Sequence, residues 1–255
     1  MINLIKAELF KLKRNHTFWV LIGVVTTLYA LINYLVIIDW WNMSTGFNDI
    51  GLKEFNALET MKTPIVFNLS ISTLAGFFIN SDYTNGTIKN QVLSGNKRSH
   101  IYLSKLIVFS LGVIVISVIL PVITAILETI LLGHTVIYNS STVMYLIKSF
   151  SLYTIIIIAY SAIIMFISSL TRESGKTIII TTVMTIILFV IEKLFAPMNE
   201  ITRVTYENSI FYQIYQAFNP VLTTNEIIKN IFVSIITTCI ITYFGIRIFK
   251  RKEIK

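Results

Sequence analysis

Apolar residues run along the chain in long blocks separated by short polar breaks. A helix needs roughly 20 mainly apolar residues to cross a hydrocarbon core about 30 Å thick. Six blocks meet or approach that requirement, at 18–38, 64–81, 106–132, 145–170, 177–195 and 227–249. The second is the shortest, with its apolar stretch confined to Pro64–Ile79. Several carry no charge inside. The pattern predicts an all-α membrane protein, a single transmembrane domain over 1–255 with six transmembrane helices.

Residues 1–17 precede the first block. Within them Ile2, Ile5, Leu9 and Leu12 share one helical face, while Lys6 and Lys13 fall away from it. A basic stretch that only enforces topology would account for the charges. The periodicity favours an amphipathic helix in the membrane interface. No small-x-small cleavage pattern follows the first block. Instead comes Asp39-Trp40-Trp41, an interfacial aromatic anchor, so the block is expected to be a retained span and not a signal peptide.

Composition supports this reading. The 255 residues are 55% hydrophobic and 13% charged, where an average soluble domain is about 25% charged. Mean hydropathy is +0.74. A water-soluble domain could not hide that apolar surface, and a disordered chain would not carry it. The net charge of +8 would raise the question of nucleic acid in a soluble protein. Here it raises the question of sidedness, and no nucleic-acid partner is expected.

The charges divide unevenly. Lys6, Lys11, Lys13 and Arg14 precede the first span; Lys89, Lys97, Arg98 and Lys105 lie between the second and third. Arg172 and Lys176 lie between the fourth and fifth, and Arg247, Lys250, Arg251, Lys252 and Lys255 close the chain. The opposite side receives only Lys53, Lys62, Lys148, Lys193, Arg203 and Lys229. The positive-inside rule therefore places both termini in the cytoplasm.

The second-to-third connection is the most informative cytoplasmic segment. Asn85-Gly86 breaks the chain after the span, Thr87–Leu93 can form two turns of helix, and Ser94-Gly95-Asn96 ends it. Ile88 and Val92 share a face. Lys97, Arg98 and Lys105 lead back to the membrane. A short helix with a small apolar face suits insertion into a groove on a cytosolic partner. A plain solvated loop fits the pattern equally well.

The connection at 196–226 is long for a simple loop. Phe211, Tyr212, Tyr215 and Phe218 follow helical spacing, with Gln213 and Gln216 between them. Both a re-entrant or interfacial helix and an ordinary aromatic belt fit. The 39–63 connection is expected to form a small ordered turn or helix.

Catalytic chemistry finds little support. Ser174-Gly175-Lys176-Thr177 looks like the end of a phosphate-binding loop, but that motif needs a glycine where Leu170 stands, after a strand. The tetrad reads as a tight turn. There is no HExxH zinc helix and no G-x-S-x-G elbow. The single cysteine, Cys239, and the scattered His16, His100 and His134 give no metal-ligand spacing. Neither a catalytic residue nor a metal site is expected. Glu128 and Lys148 fall at similar depth on the third and fourth spans. They are candidates for an ion pair on a substrate path, or for two snorkelling interfacial residues. Thr177, Thr181 and Thr185 form an i, i+4, i+8 stripe, and Ser234, Thr237, Thr238 and Thr242 another. Such stripes pack helices together more often than they line a pathway.

Taken in order, these segments resemble the membrane subunit of a type-2 ABC exporter, of the kind found in bacitracin and lantibiotic immunity systems. Ile5-Lys6-Ala7-Glu8-Leu9-Phe10-Lys11-Leu12-Lys13-Arg14 is similar to that family's N-terminal connecting helix. Asp82, Gly86-Thr87-Ile88-Lys89, Leu93, Lys97-Arg98 and Tyr102-Leu103-Ser104-Lys105 resemble its coupling-helix region. Some members carry Glu where this chain has Asp82. The resemblance covers nearly the whole chain and implies a permease of the bacterial plasma membrane that works as a homo- or heterodimer. It implies that Thr87, Ile88, Lys89, Val92 and Leu93 dock into a separate cytosolic ATPase, which holds the ATP and magnesium; this chain would bind no cofactor. It further implies export of an antimicrobial peptide, drug or other amphiphile. The rival classes are an intramembrane enzyme, which needs paired reactive groups at one depth, and a membrane scaffold or sensor, which needs no ATPase.

Overall fold

A computed structural model describes residues 1–38, 40, 64–119, 122–123, 126–127, 130, 140–194, 200–219 and 222–251. The 39–63 connection, apart from Trp40, lies outside these residues, as does Glu128. Every described element is helical. They are α1 (Ile2–Arg14), α2 (His16–Ile37), α3 (Pro64–Phe78), α4 (Ser81–Thr84), α5 (Thr87–Leu93), α6 (Arg98–Ile114, continued by a π-helical Val115–Ile119), α7 (Ser140–Thr171), α8 (Ser174–Leu194), α9 (Glu200–Glu207), α10 (Ile210–Gln216) and α11 (Thr224–Arg251).

Among the described residues, three helices are long and apolar enough to cross a membrane unaided: Arg98–Ile119, Val143–Thr171 and Thr224–Arg251. The pair Ile2–Arg14 and His16–Ile32 makes a fourth candidate if its two arms, bent by 59°, count as one. The remaining apolar blocks of the six expected form α3 and α8. With 15 residues, α3 is about 22 Å long, short of the hydrocarbon thickness.

The bend between α1 and α2 has a local cause. Asn15 is extended, at φ −74° and ψ 115°, and its Oδ1 accepts the Phe18 N–H at 3.1 Å. This caps the new helix and fixes its change of direction. The expected face of α1 is only partly right. Leu4, Glu8 and Leu12 are buried and Ile5 and Leu9 pack on the core, but Ile2 is exposed. The burial of Glu8 is the notable departure.

Helices α6 and α7 form the centre. α7 runs along α11 and also meets α3, α6, α8 and α10; α6 packs on α1, α7 and α11. α8 lies along α3, with α2 on α3's other flank. The threonine stripe of α8 belongs to its seam with α3. Thr181 donates to Ser72 Oγ at 2.7 Å, and Asn80 Nδ2 donates to Thr177 Oγ1 at 2.6 Å. Ser168 from α7 donates to Asn80 Oδ1 at 2.7 Å, so the seam joins three helices. A Cβ on Gly76 would lie 3.2 Å from the Ser174 carbonyl oxygen, which shows how closely the backbones approach.

The Ser174–Thr177 tetrad differs from expectation. It is the first turn of α8; the chain reverses just before it, at Arg172, whose φ is +56°. The long connection at 196–226 is neither a loop nor a belt alone. It contains α9 and α10, and α10 is seated against α7. Phe218 packs edge-on against Phe150, with centroids 5.4 Å apart, and Phe211 against Tyr160 at 5.6 Å. The Tyr145 hydroxyl donates to the Phe218 carbonyl at 2.6 Å.

Several contacts define one end of the bundle. Arg98 donates to the Lys250 carbonyl at 2.8 Å, Phe249 meets Tyr102 and Tyr83, and the Arg172 guanidinium stands over the Tyr83 ring at 5.4 Å. The N-terminal helix, α4–α5, the α7–α8 reversal and the C-terminal end of α11 therefore gather together. α9 and α10 lie at the other end, because α11 is about 42 Å long by its 28 residues.

Candidate functional site

The helix expected at Thr87–Leu93 is present as α5. It starts after Gly86, held at φ +66°, where a side chain would strain the backbone. It ends at Gly95, φ +81°, whose N–H donates to the Val92 carbonyl at 3.0 Å. These two left-handed positions fix α5 as a rigid two-turn rod.

Its orientation corrects one expectation. Ile88 is 1% exposed and Val92 packs against the same core. The pair faces its own chain, with Ile88 buried and Val92 partly buried. The outward face is Lys89, Asn90 and Leu93, with Leu93 75% exposed. The inward turn of Ile88 follows from the short linkers: α4 and Gly86 leave α5 close against the α6 start, where burial of an isoleucine contributes about 1.5–3 kcal/mol.

Beneath α5 lies a buried charge network that the sequence reading did not assemble. Lys105, on α6, is 1% exposed. Its ammonium donates to Glu8 Oε1 at 2.6 Å and to Asp82 Oδ2. Lys11 also donates to Asp82 Oδ2, stands 3.7 Å from Glu8 Oε2, and donates to the Phe78 carbonyl at 3.1 Å. Two carboxylates and two ammonium groups balance, which is the condition for keeping charge out of water. α5 is bonded to both carboxylates. The Thr87 hydroxyl donates to Asp82 Oδ1 at 2.6 Å, and Gln91 Nε2 donates to Glu8 Oε1 at 3.0 Å.

The electrostatics follow from this geometry. Burial alone would raise the Asp82 carboxyl, but the Lys105 and Lys11 ammonium groups outweigh it and hold the acid below its ordinary value. Burial, reinforced by Lys105, lowers the Lys11 amine against the opposing pull of Asp82 and Glu8. Burial raises the Tyr83 phenol, with Arg172 opposing. A small cavity of about 190 Å³ opens beside the network, between Asp82, Tyr83, Lys89 and Arg172.

The flanking candidates have varied settings. Asp82 is buried at the heart of the network, Gly86 is the α5 entry turn, Lys97 is exposed, and Arg98 caps the last turn of α11. Lys148 donates to the Leu222 carbonyl at 3.4 Å; its expected partner Glu128 lies outside the described residues. The missed members are Glu8, Lys11 and Lys105. A charged residue on the apolar face of an amphipathic helix, as Glu8 is in α1, is the signal that could have found them, because such a charge requires a buried counter-charge.

The model of the ABC-2 family transporter protein matches residues 4–192, from within α1 to the last turn of α8. The chain belongs to the ABC-2 transporter family. No curated protein matches, and no solved structure matches. The family is that of ABC transporter permeases, membrane subunits that work with an ATPase partner. The matched span includes α1, α4, α5 and α6, and so the complete charge network.

Proposed function

We propose that this ABC-2 permease is an export subunit whose α5 docks into a separate ATPase, and whose charge network passes the movement of α5 to the membrane helices. The observation that carries this reading is the mounting of α5. Its outer face, Lys89, Asn90 and Leu93, is open, while its inner face is bonded through Thr87 and Gln91 to a network shared by α1, α4 and α6. A push on α5 cannot be absorbed by a loose loop, because the carboxylates that hold it are those that hold α1 to α6.

Six membrane spans, with both termini and α5 on the cytoplasmic side of a bacterial plasma membrane, complete the proposal. The basic segments in the sequence and their gathering at one end of the bundle support it. Two permease copies, identical or homologous, would form the pathway. ATP and magnesium would be held by the ATPase. The cargo class that the resemblance supports is an amphiphile such as an antimicrobial peptide or drug, with self-protection as the outcome. The test is affinity purification of the tagged chain from its native membranes in mild detergent, followed by mass spectrometry. A cytosolic ATPase at equal stoichiometry is the expected result. Recovery of the chain alone, under conditions that keep other ABC transporters whole, would reject the coupling role.

A further inference from the structure

A second polar cavity lies at the opposite end of the bundle from α5. It has a volume of about 250 Å³ and is bordered by Glu207, Tyr212, Gln213, Glu226, Lys229 and Asn230. Two of its side chains are buried amides with an unmet hydrogen bond. Gln213 is 0% exposed and Asn230 2%. Among the described residues, Gln213 Oε1 and Asn230 Nδ2 have no partner. The Gln213 amide cannot simply be turned around, because its Nε2 donates to the Glu207 carbonyl at 2.8 Å. Its oxygen is therefore fixed as an acceptor. Leaving such groups unpaired is costly, so an occupant that satisfies them is favoured.

The charges define that occupant. Glu226 accepts the Thr223 N–H and hydroxyl at 2.8 Å each. Glu207 stands 3.5 Å from the exposed Arg203. With Gln213 Oε1 they supply the cavity's acceptors, while Asn230 Nδ2 and Lys229, one turn along α11 from Glu226, supply its donors. A bare cation would leave Asn230 Nδ2 unmet, and a bare anion would leave Gln213 Oε1 unmet. A group carrying both charges meets both.

We propose that this cavity binds a primary ammonium carried beside a phosphate, the headgroup of an aminophospholipid. The ammonium donates to Gln213 Oε1 and the two carboxylates, and the phosphate accepts from Asn230 Nδ2 and Lys229. A lipid is the source because an apolar track on α11 runs on from Lys229, which borders the cavity. Phe232, Ile236 and Ile240 follow Lys229 on α11 at i+3 and i+4 steps and are 64%, 38% and 49% exposed. That track is where acyl chains would lie once the headgroup is seated.

The test is native mass spectrometry of the full chain, with any partner that co-purifies, after exchange into equal parts phosphatidylethanolamine, phosphatidylcholine and phosphatidylglycerol. Phosphatidylcholine keeps the charges but has no ammonium N–H; phosphatidylglycerol lacks the ammonium. Phosphatidylethanolamine should be retained about tenfold over both, the effect of one charge-assisted hydrogen bond. Gln213→Leu, which deletes the ammonium's buried acceptor, should remove that preference. Glu226→Gln, at an exposed position that does not threaten folding, should weaken it as well. Equal retention of phosphatidylcholine, or a preference unchanged in both variants, would overturn the proposal. Displacement of the bound lipid by micromolar free phosphoethanolamine would overturn the assignment to a lipid.

Discussion

Lys105 places one ammonium between two carboxylates from separate helices, Glu8 of α1 and Asp82 of α4. Removing it leaves both acids buried without their main counter-charge, a loss of about 3–5 kcal/mol. Lys105→Met should therefore lower the unfolding temperature sharply. The double change Lys105→Met with Glu8→Gln should recover part of that loss, and a thermal melt of the four combinations measures the coupling. The network also predicts an acid limit. The folded Asp82 carboxyl lies below its unfolded value of about 3.9, so its contribution is complete above that pH and is lost as pH falls through the folded value. Lys11 is lowered too, so its charged form is disfavoured in the fold, and alkali relieves that strain instead of adding to it. A melt series should thus show the loss below about pH 4, absent in Asp82→Asn. The sequence displayed each of these charges, but spacing along the chain could not pair residues 97 positions apart.

At the scale of elements, the helices themselves were legible because long apolar runs and Gly or Asn breaks are local signals. The length of α5 could be read from Gly86 and Gly95. Its facing could not, since which side of a two-turn helix is inward depends on the helices beneath it. That difference is testable. Ile88→Asp should destabilise the whole chain by 3 kcal/mol or more, about the cost of an unpaired buried charge. Leu93→Asp and Lys89→Glu should leave the melt unchanged and lose the ATPase on purification. The close fit of α6 to α11 gives another check. Gly245 is buried, and a Cβ there would collide with the Tyr102 hydroxyl. Gly245→Ala should cost about 1–3 kcal/mol, read by the same melt, whereas Gly23→Ala, with open space around it, should be nearly neutral.

Across the whole molecule, the basic segments that topology rules assign to one side share one end of the bundle. They are held there by Arg98 on α11, Arg172 on Tyr83 and the α1–α6 charges. The pattern of charge along the chain carried this organisation, because sidedness depends on counts and not on contacts. The polar cavity between α10 and α11 was not legible, since Gln213 and Asn230 belong to different segments and look like ordinary interfacial polar residues. Cysteine labelling would map the two ends in a Cys239→Ser background. A thiol at position 90 should react only from the cytoplasm, and one at position 208 only from outside. The most direct test of the central claim is a photo-crosslinking residue placed at position 93 or 88 in living cells. Attachment of the ATPase from position 93, with only internal products from position 88, is the predicted result. An ATPase adduct from position 88, or none from position 93, would contradict the account of α5 as an outward docking helix seated on a buried charge network.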